Sequence, residues 1–307
     1  MLTTIHNVAI IGAGAVGATY GSILYEKSTA SVSFLAEGQR LERLQQGLVV
    51  NNKSYHVHVR KPGAFDSPPQ LIIAAVKYHH LEQAIRDIEP EVTDQTQILS
   101  LLNGIDSEEK IARAYGWDHV LYGVSLGIDA VREKDKVVFS SPGTLYIGRK
   151  KNNPPEEIVQ NVASLLSNAD LPCVVPSDML RILWWKYMIN AGINQASAVL
   201  NAPYEVFQKQ REALDMVDAA MEEVVQIADK EGVHLGEDLF EQWYKVLKTL
   251  DPKNKTSMLQ DVQAQRKTEV EMFAGKIIDL GEKHNIPTPV NRIFMDIIRC
   301  KEHSYGF

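Results

Sequence analysis

Three polar side chains recur every four residues in an otherwise apolar or small stretch. In "WWKYMINAGINQASAVL" (184–200) they are Lys186, Asn190 and Asn194. Residues four apart share one face of a helix, so the spacing predicts a narrow polar stripe carrying one cation. An ammonium buried without partners costs several kcal/mol (~3–5), so the stripe should face a wet cleft or a ligand, or else join a structural network at a domain or subunit interface. Lysine can supply charge or a proton, and asparagine can both donate and accept. A second segment, "TSMLQDVQAQRKTE" (256–269), holds Ser257, Asp261 and Glu269. Read alone, Ser257 fits a helix N-cap and the two acids fit a solvated helix face.

Chemistry at such a stripe needs elements to position it, and the first of these stand at the N-terminus. "HNVAIIGAGAVGATYG" reads as an apolar strand, Val8 to Ile11, then Gly12-Ala13-Gly14-Ala15-Val16-Gly17, then a helix. G-x-G-x-x-G between a strand and a helix is the dinucleotide fingerprint: a tight turn at Gly12, a close phosphate approach at Gly14, close helix packing at Gly17. The helix N-terminus adds free N–H groups and partial positive charge. A second strand, 31–36, ends just before Glu37, where an acid grips the ribose hydroxyls of NAD; Arg40 close behind could meet the 2′-phosphate of NADP. Both also fit the solvated start of a helix.

Strand and helix then alternate. "QLIIAAVK" (70–77), "TQILSLLNG" (96–104) and "HVLYGVSLG" (119–127) read as buried parallel strands, "HLEQAIRDIEP" as a helix stopped by Pro90. Lys77 and Asn103–Gly104 stand at carboxyl ends of strands, where ligands bind, although a surface lysine and a plain turn fit them too. Pro142–Gly143 within the alternating stretch 137–150 predicts a hairpin turn. A helix over 155–168 and a strand over 172–176 close this half. From Asp178 the pattern is helical, with helices over 211–232 and 258–285, the second breaking near Gly281 and before Pro287. The expected architecture is α/β: a doubly wound Rossmann domain at 1–177 and an all-helical domain at 178–307, with the crevice between them as the default site.

Composition narrows the partners. The 307 residues are 45% hydrophobic and 23% charged, with a net charge of −7. That balance argues against nucleic-acid binding, and an acidic substrate would need local cations or aimed N–H groups. No run reaches the roughly 18 apolar residues of a membrane span, and "MLTTIHN" lacks the basic start of a signal peptide. Cys173 and Cys300 fit neither a disulfide framework nor a metal site; they are expected to be buried and reduced, in a cytoplasmic protein without a metal. The helical domain is a candidate homodimer surface.

Taken together, "GAGAVG", "AVK", "LLNG", "WWKYMINAGINQASA" and "TSMLQDVQAQRKTE" resemble, in the right order, the ketopantoate reductase (2-dehydropantoate 2-reductase) family, with its K-x-x-x-N-x-x-x-N helix and its serine-to-glutamate spacing. The resemblance implies a helical domain like that of 6-phosphogluconate dehydrogenase and NADPH-dependent reduction of ketopantoate to pantoate in pantothenate biosynthesis. It makes Lys186 the proton donor, Asn190, Asn194 and Ser257 substrate contacts, and Lys77, Asn103 and Glu269 contacts to cofactor or substrate. Two positions depart from the family. Glu37 replaces the usual arginine, which points toward NADH, and Tyr204 replaces an asparagine that binds the substrate's far hydroxyl. The competing readings are an NADH-dependent D-2-hydroxyacid dehydrogenase for another branched 2-keto acid, a dehydrogenase of the 6-phosphogluconate type, and a catalytically idle dinucleotide sensor.

Overall fold

The computed structural model describes residues 4–133 and 135–307. The chain divides into two compact units, Met1–Ile182 and Leu183–Phe307.

The first unit is built on one mixed sheet. Six strands, β1 (Asn7–Ile11), β2 (Ser31–Leu35), β5 (His58–Arg60), β6 (Leu71–Ala74), β7 (Gln97–Ser100) and β8 (Val120–Glu133), run parallel in the order β5-β2-β1-β6-β7-β8. That is the doubly wound order, with its switch point beside β1. Successive residues of β1 are buried on opposite faces. Val8 and Ile10 join a core with Tyr20 and Leu24 of α1 (Ala15–Lys27) and with Leu165 and Leu166 of α5 (Glu157–Asn168). Ala9 and Ile11 join a second core with Leu81 and Ala84 of α3 (Leu81–Ile88) and Ile111 of α4 (Ser107–Tyr115). Burial on both sides is why these strands read as continuous apolar runs. α2 (Gly38–Gln45) follows β2.

The sheet continues beyond the parallel strands, and here sequence reading falls short. The stretch 137–150 is no hairpin: β9 (Lys136–Gly148) is one strand, antiparallel to β8 along its length. Pro142 pairs with Ile128 inside the ladder, and Gly143, at φ +67°, is a local irregularity where a side chain would strike Leu126 O. Pro-Gly marks a distortion in a strand as readily as a turn. Two short strands, β3 (Leu48–Val50) and β4 (Lys53–Tyr55), extend the far edge, and β10 (Cys173–Val174) pairs with β9.

The second unit is helical. A nearly continuous helix runs as α6 (Met179–Ile189), a π turn at Asn190–Asn194, and α7 (Gln195–Leu200). α8 (Tyr204–Lys209), α9 (Arg211–Lys230), α10 (Leu239–Thr249) and α11 (Ser257–Gln263) follow, then a second π turn at Glu271–Gly275, α12 (Lys276–His284) and α13 (Pro289–Ser304). The single long helix expected over 258–285 is therefore broken. It stops at Gln263, with Gln265 at φ +51°, and Asp261 O takes Arg266 N–H at the break. Nor does the chain break at Gly281: the helix runs on to His284 and ends at Asn285 in the left-handed region, before Pro287 as expected. Gly281 is small because a Cβ there would lie 2.7 Å from Ile286 O and Thr288 Cγ2.

Gly192 plays the same packing role inside the first π turn. A Cβ on it would lie 2.7 Å from Met221 Cγ and 2.9 Å from Val217 Cγ1, both on α9. Gly192→Ala is expected to lower the unfolding free energy by about 1–3 kcal/mol, the range for overpacking a tight core. Denaturant titration checks it, and an unchanged midpoint would show that α9 gives way freely.

Candidate active site

In the first unit the glycine turn has the geometry of a phosphate cradle. Gly12 sits at φ +102°, and a Cβ there would lie 2.5 Å from Ala75 O at the end of β6. Gly14 is the N-cap of α1, has no side-chain cap bond, and a Cβ on it would meet nothing within 4 Å. The first amides of α1 are thus free and face open space, as an anion requires. Ala13, Ala15 and Val16 are only partly buried around this turn. These features fit a dinucleotide, which would lay its pyrophosphate here.

Other sequence-predicted residues of this unit stand at carboxyl ends of neighbouring strands, as expected. Glu37 is the exposed N-cap residue of α2, just past β2. Arg40 does not pair with it. Its guanidinium donates to His80 Nε2 at 3.0 Å, which makes the ring the acceptor and therefore neutral at that nitrogen. Burial, then the charges of His79 and Arg40, hold the His80 pKa below its ordinary value, consistent with that neutral ring. Lys77 follows β6 and Asn103 follows β7; both are engaged in polar contacts. Sequence reasoning missed Arg132, whose Nη1 donates to Ala13 O of the glycine turn at 2.7 Å. It sits 119 residues away on the extended end of β8, and only the strand pairing brings it there.

The second unit gathers the stripe. Lys186 and Asn190 are half-buried and Asn194 is 6% exposed, so the face is enclosed rather than solvated. Four residues overshoot one α-helical turn of 3.6. The wider π turn takes up that excess between Asn190 and Asn194; such turns recur at functional sites.

Glu269 faces this stripe because two neighbours pin its segment. Thr268 N–H and Oγ1 both donate to buried Glu302 Oε1 at 2.6 Å, and the Tyr187 hydroxyl reaches Met272 O and Phe273 O at 3.0 and 2.7 Å. Glu269 is 7% exposed, and Asp261, at 5%, accepts Arg266 Nε at 2.9 Å, so neither acid is an ordinary solvated residue. Ser257 is not the N-cap of α11. Thr256 is, accepting Leu259 N–H at 3.1 Å, which leaves the Ser257 hydroxyl exposed without that duty. α11 and the second π turn both pack against Asn190–Asn194.

The electrostatics at Lys186 are set by two opposed causes. Desolvation lowers its pKa and the Glu269 carboxylate raises it, and the result is about 8 against an ordinary 10.5. A lysine whose charge is costly but still present near neutrality is suited to giving up a proton. Among the described residues no cluster of ligating side chains could hold a metal, and no helix is long and apolar enough to cross a membrane. The cysteines are free, but Cys300 is exposed on α13 rather than buried, on the solvent side of an amphipathic helix. Cys173 is half-buried, and desolvation raises its thiol to about 11.

A doubly wound unit with a glycine cradle and a helical unit carrying an enclosed lysine–asparagine stripe define a nicotinamide-dinucleotide-dependent oxidoreductase. The chain belongs to the ketopantoate reductase family: the models "Ketopantoate reductase PanE/ApbA" and its "C terminal" match residues 8–152 and 178–302. A 2-dehydropantoate 2-reductase of Pyrococcus abyssi is 24% identical over 302 residues, covering 97% of this chain and 99% of the relative. Among solved structures, a D-mandelate dehydrogenase with NADH and anilino(oxo)acetate superposes with a TM-score of 0.88 at 22% identity, covering 98% of this chain and 100% of that one. A ketopantoate reductase from Ralstonia eutropha superposes at 0.85 with 23% identity and the same coverage.

Proposed function

We propose that the chain reduces a branched 2-keto acid, 2-dehydropantoate first among them, to the 2-hydroxy acid, with hydride from NADPH or NADH delivered to C2. The observation that carries this reading is the enclosed Lys186–Asn190–Asn194 stripe with Glu269 beside it, which a dinucleotide sensor has no use for. Reduction of the ketone leaves an alkoxide, and the Lys186 ammonium is the acid that quenches it. Glu269 keeps that ammonium protonated despite burial. Asn190, Asn194 and Ser257 hold the carboxylate and hydroxyl without adding charge. The dinucleotide supplies the hydride when bound. Gly12 to Gly17 hold its pyrophosphate, and Lys77 and Asn103 reach it from the neighbouring strand ends.

A specific observation favours NADH and an alternative 2-keto acid as the second reading. Glu37 is unpaired with Arg40, which is turned to His80. A carboxylate at that position accepts ribose hydroxyls and repels a 2′-phosphate. Nicotinamide oxidation followed by absorbance, with each dinucleotide and with ketopantoate or 2-ketoisovalerate, separates the readings. Turnover of ketopantoate supports the first, turnover of only the simpler acid with NADH supports the second, and no turnover while the dinucleotide still binds contradicts both.

The pH dependence follows from the lysine. In the reduction direction the protonated form is the active one. The kcat/KM of the free enzyme should therefore be level below about pH 8 and fall tenfold per pH unit above it. Glu269→Gln removes the raising partner, so the limb should move to lower pH. A limb near the ordinary 10.5 would show that burial does not hold the Lys186 pKa down, and the absence of a basic limb would remove Lys186 as the donor.

A further inference from the structure

The π turn that aligns the stripe is itself held by a buried side chain. In an α-helix the N–H of Gln195 would bond to Ala191 O. Here the Gln195 N–H goes to Gly192 O, and the side-chain Nε2 of the same residue donates to Ala191 O at 2.7 Å. The amide's second hydrogen goes to Asn291 Oδ1 at 2.9 Å. Asn291 is in turn fixed by Glu223, whose carboxylate accepts Asn291 Nδ2 at 2.7 Å, Asn291 N–H at 3.0 Å and Val290 N–H at 2.7 Å. Gln195 and Asn291 are fully buried and Glu223 nearly so. Three helices, α7, α9 and α13, thus converge on one carbonyl of the turn.

We infer that Gln195 is a positioning residue: with Asn291 and Glu223 it locks the widened turn at Asn190–Asn194, and so sets where the Asn194 carboxamide grips the keto acid. A buried amide that merely packed would have no reason to replace a backbone donor within the turn bearing the stripe. The Oε1 of Gln195 has no partner, so the residue is retained for its two donated bonds. Without them the low-energy alternative is an ordinary α turn. That would rotate Asn194 away from Lys186 by the excess of four residues over 3.6. Lys186 lies before the turn and Asn190 is its first residue, ahead of the Ala191 carbonyl, so both stay in place.

The inference rests on the stripe being the keto-acid site, and the test separates the two. Gln195→Met keeps length and volume but cannot donate. It should raise the KM for the keto acid by roughly tenfold or more while kcat changes by less than about threefold, because orientation of the bound acid is lost and the proton donor is not. Dissociation constants for NADPH and NADH, read by fluorescence titration, should stay unchanged. Asn291→Ala should act in the same direction, and the double variant should be no worse than Gln195→Met alone, since both break one chain of contacts. Asn291→Ala also serves if Gln195→Met does not fold. An unchanged KM in either folded variant overturns the inference. So does a uniform loss of kcat, KM and dinucleotide affinity, which is the mark of general loosening. If Asn194→Ala leaves the KM untouched, the stripe reading falls and takes this inference with it. If Asn194→Ala raises the KM and Gln195→Met does not, this inference alone falls.

Discussion

Lys186→Met is expected to lower kcat for keto-acid reduction by a factor on the order of 10²–10⁴, with the fold intact and dinucleotide binding unchanged. The size follows from what is lost. The alkoxide would have to take its proton from water in an enclosed site, without a preorganised cation to stabilise it. The fold should survive because the cost of burying the ammonium outweighs its attraction to Glu269. The pKa of Lys186 is depressed to about 8, mainly by desolvation. The folded protein therefore holds the charged form at a cost below pH 8, and the cost fades as pH rises toward the ordinary lysine value. Methionine at this position removes that penalty, so the denaturation midpoint near pH 7 should rise or stay level while activity falls. Steady-state rates beside a thermal melt check both halves. Full activity would remove the lysine from the mechanism.

Gly17→Ala is expected to have the second-largest effect, on dinucleotide binding. The added methyl would fall inside the van der Waals shell of Gly12 O and 3.1 Å from Ala75 Cβ. Helix α1 would have to move off the turn it follows, and its amides would leave the phosphate position with it. Overpacking of about 1–3 kcal/mol, much of it at the cradle itself, corresponds to a loss of affinity on the order of 10- to 100-fold. Fluorescence titration with NADPH and NADH reads it directly. Because the substitution leaves the stripe's own residues unchanged, the kcat extrapolated to saturating dinucleotide should change far less than the affinity. Equal affinity in the variant would mean that the glycine turn does not hold the pyrophosphate.

Legibility in the sequence followed how local each signal was. The glycine turn, the apolar strands β1, β6 and β7, and the stripe could be read because a short segment carries each one whole. The sheet's far side could not. The pairing of β8 with β9 depends on a ladder whose Pro142–Gly143 irregularity imitates a turn, and β3 and β4 are three residues each, too short for a period to show. The break after Gln263 has no proline or glycine to announce it. It arises where Gln265 takes a left-handed conformation and the following segment is tied to Glu302, a contact 34 residues distant. The π turn was invisible for a similar reason. Its spacing of four reads as α-helical, and the Asn291 and Glu223 side chains that support it lie far along the chain. Glu269 was recognisable only through resemblance, since its burial depends on Thr268 and Tyr187 holding the backbone on either side.

The central claim is that hydride passes from the nicotinamide to C2 of a 2-keto acid on this chain. The most direct test uses dinucleotide deuterated at the transferring position of nicotinamide C4, with ketopantoate, and mass spectrometry and NMR of the product. One deuterium on C2 of pantoate, and none in its absence of enzyme, is the expected result. Product without deuterium, or no product while the labelled dinucleotide remains bound, would contradict the reaction assigned to this site.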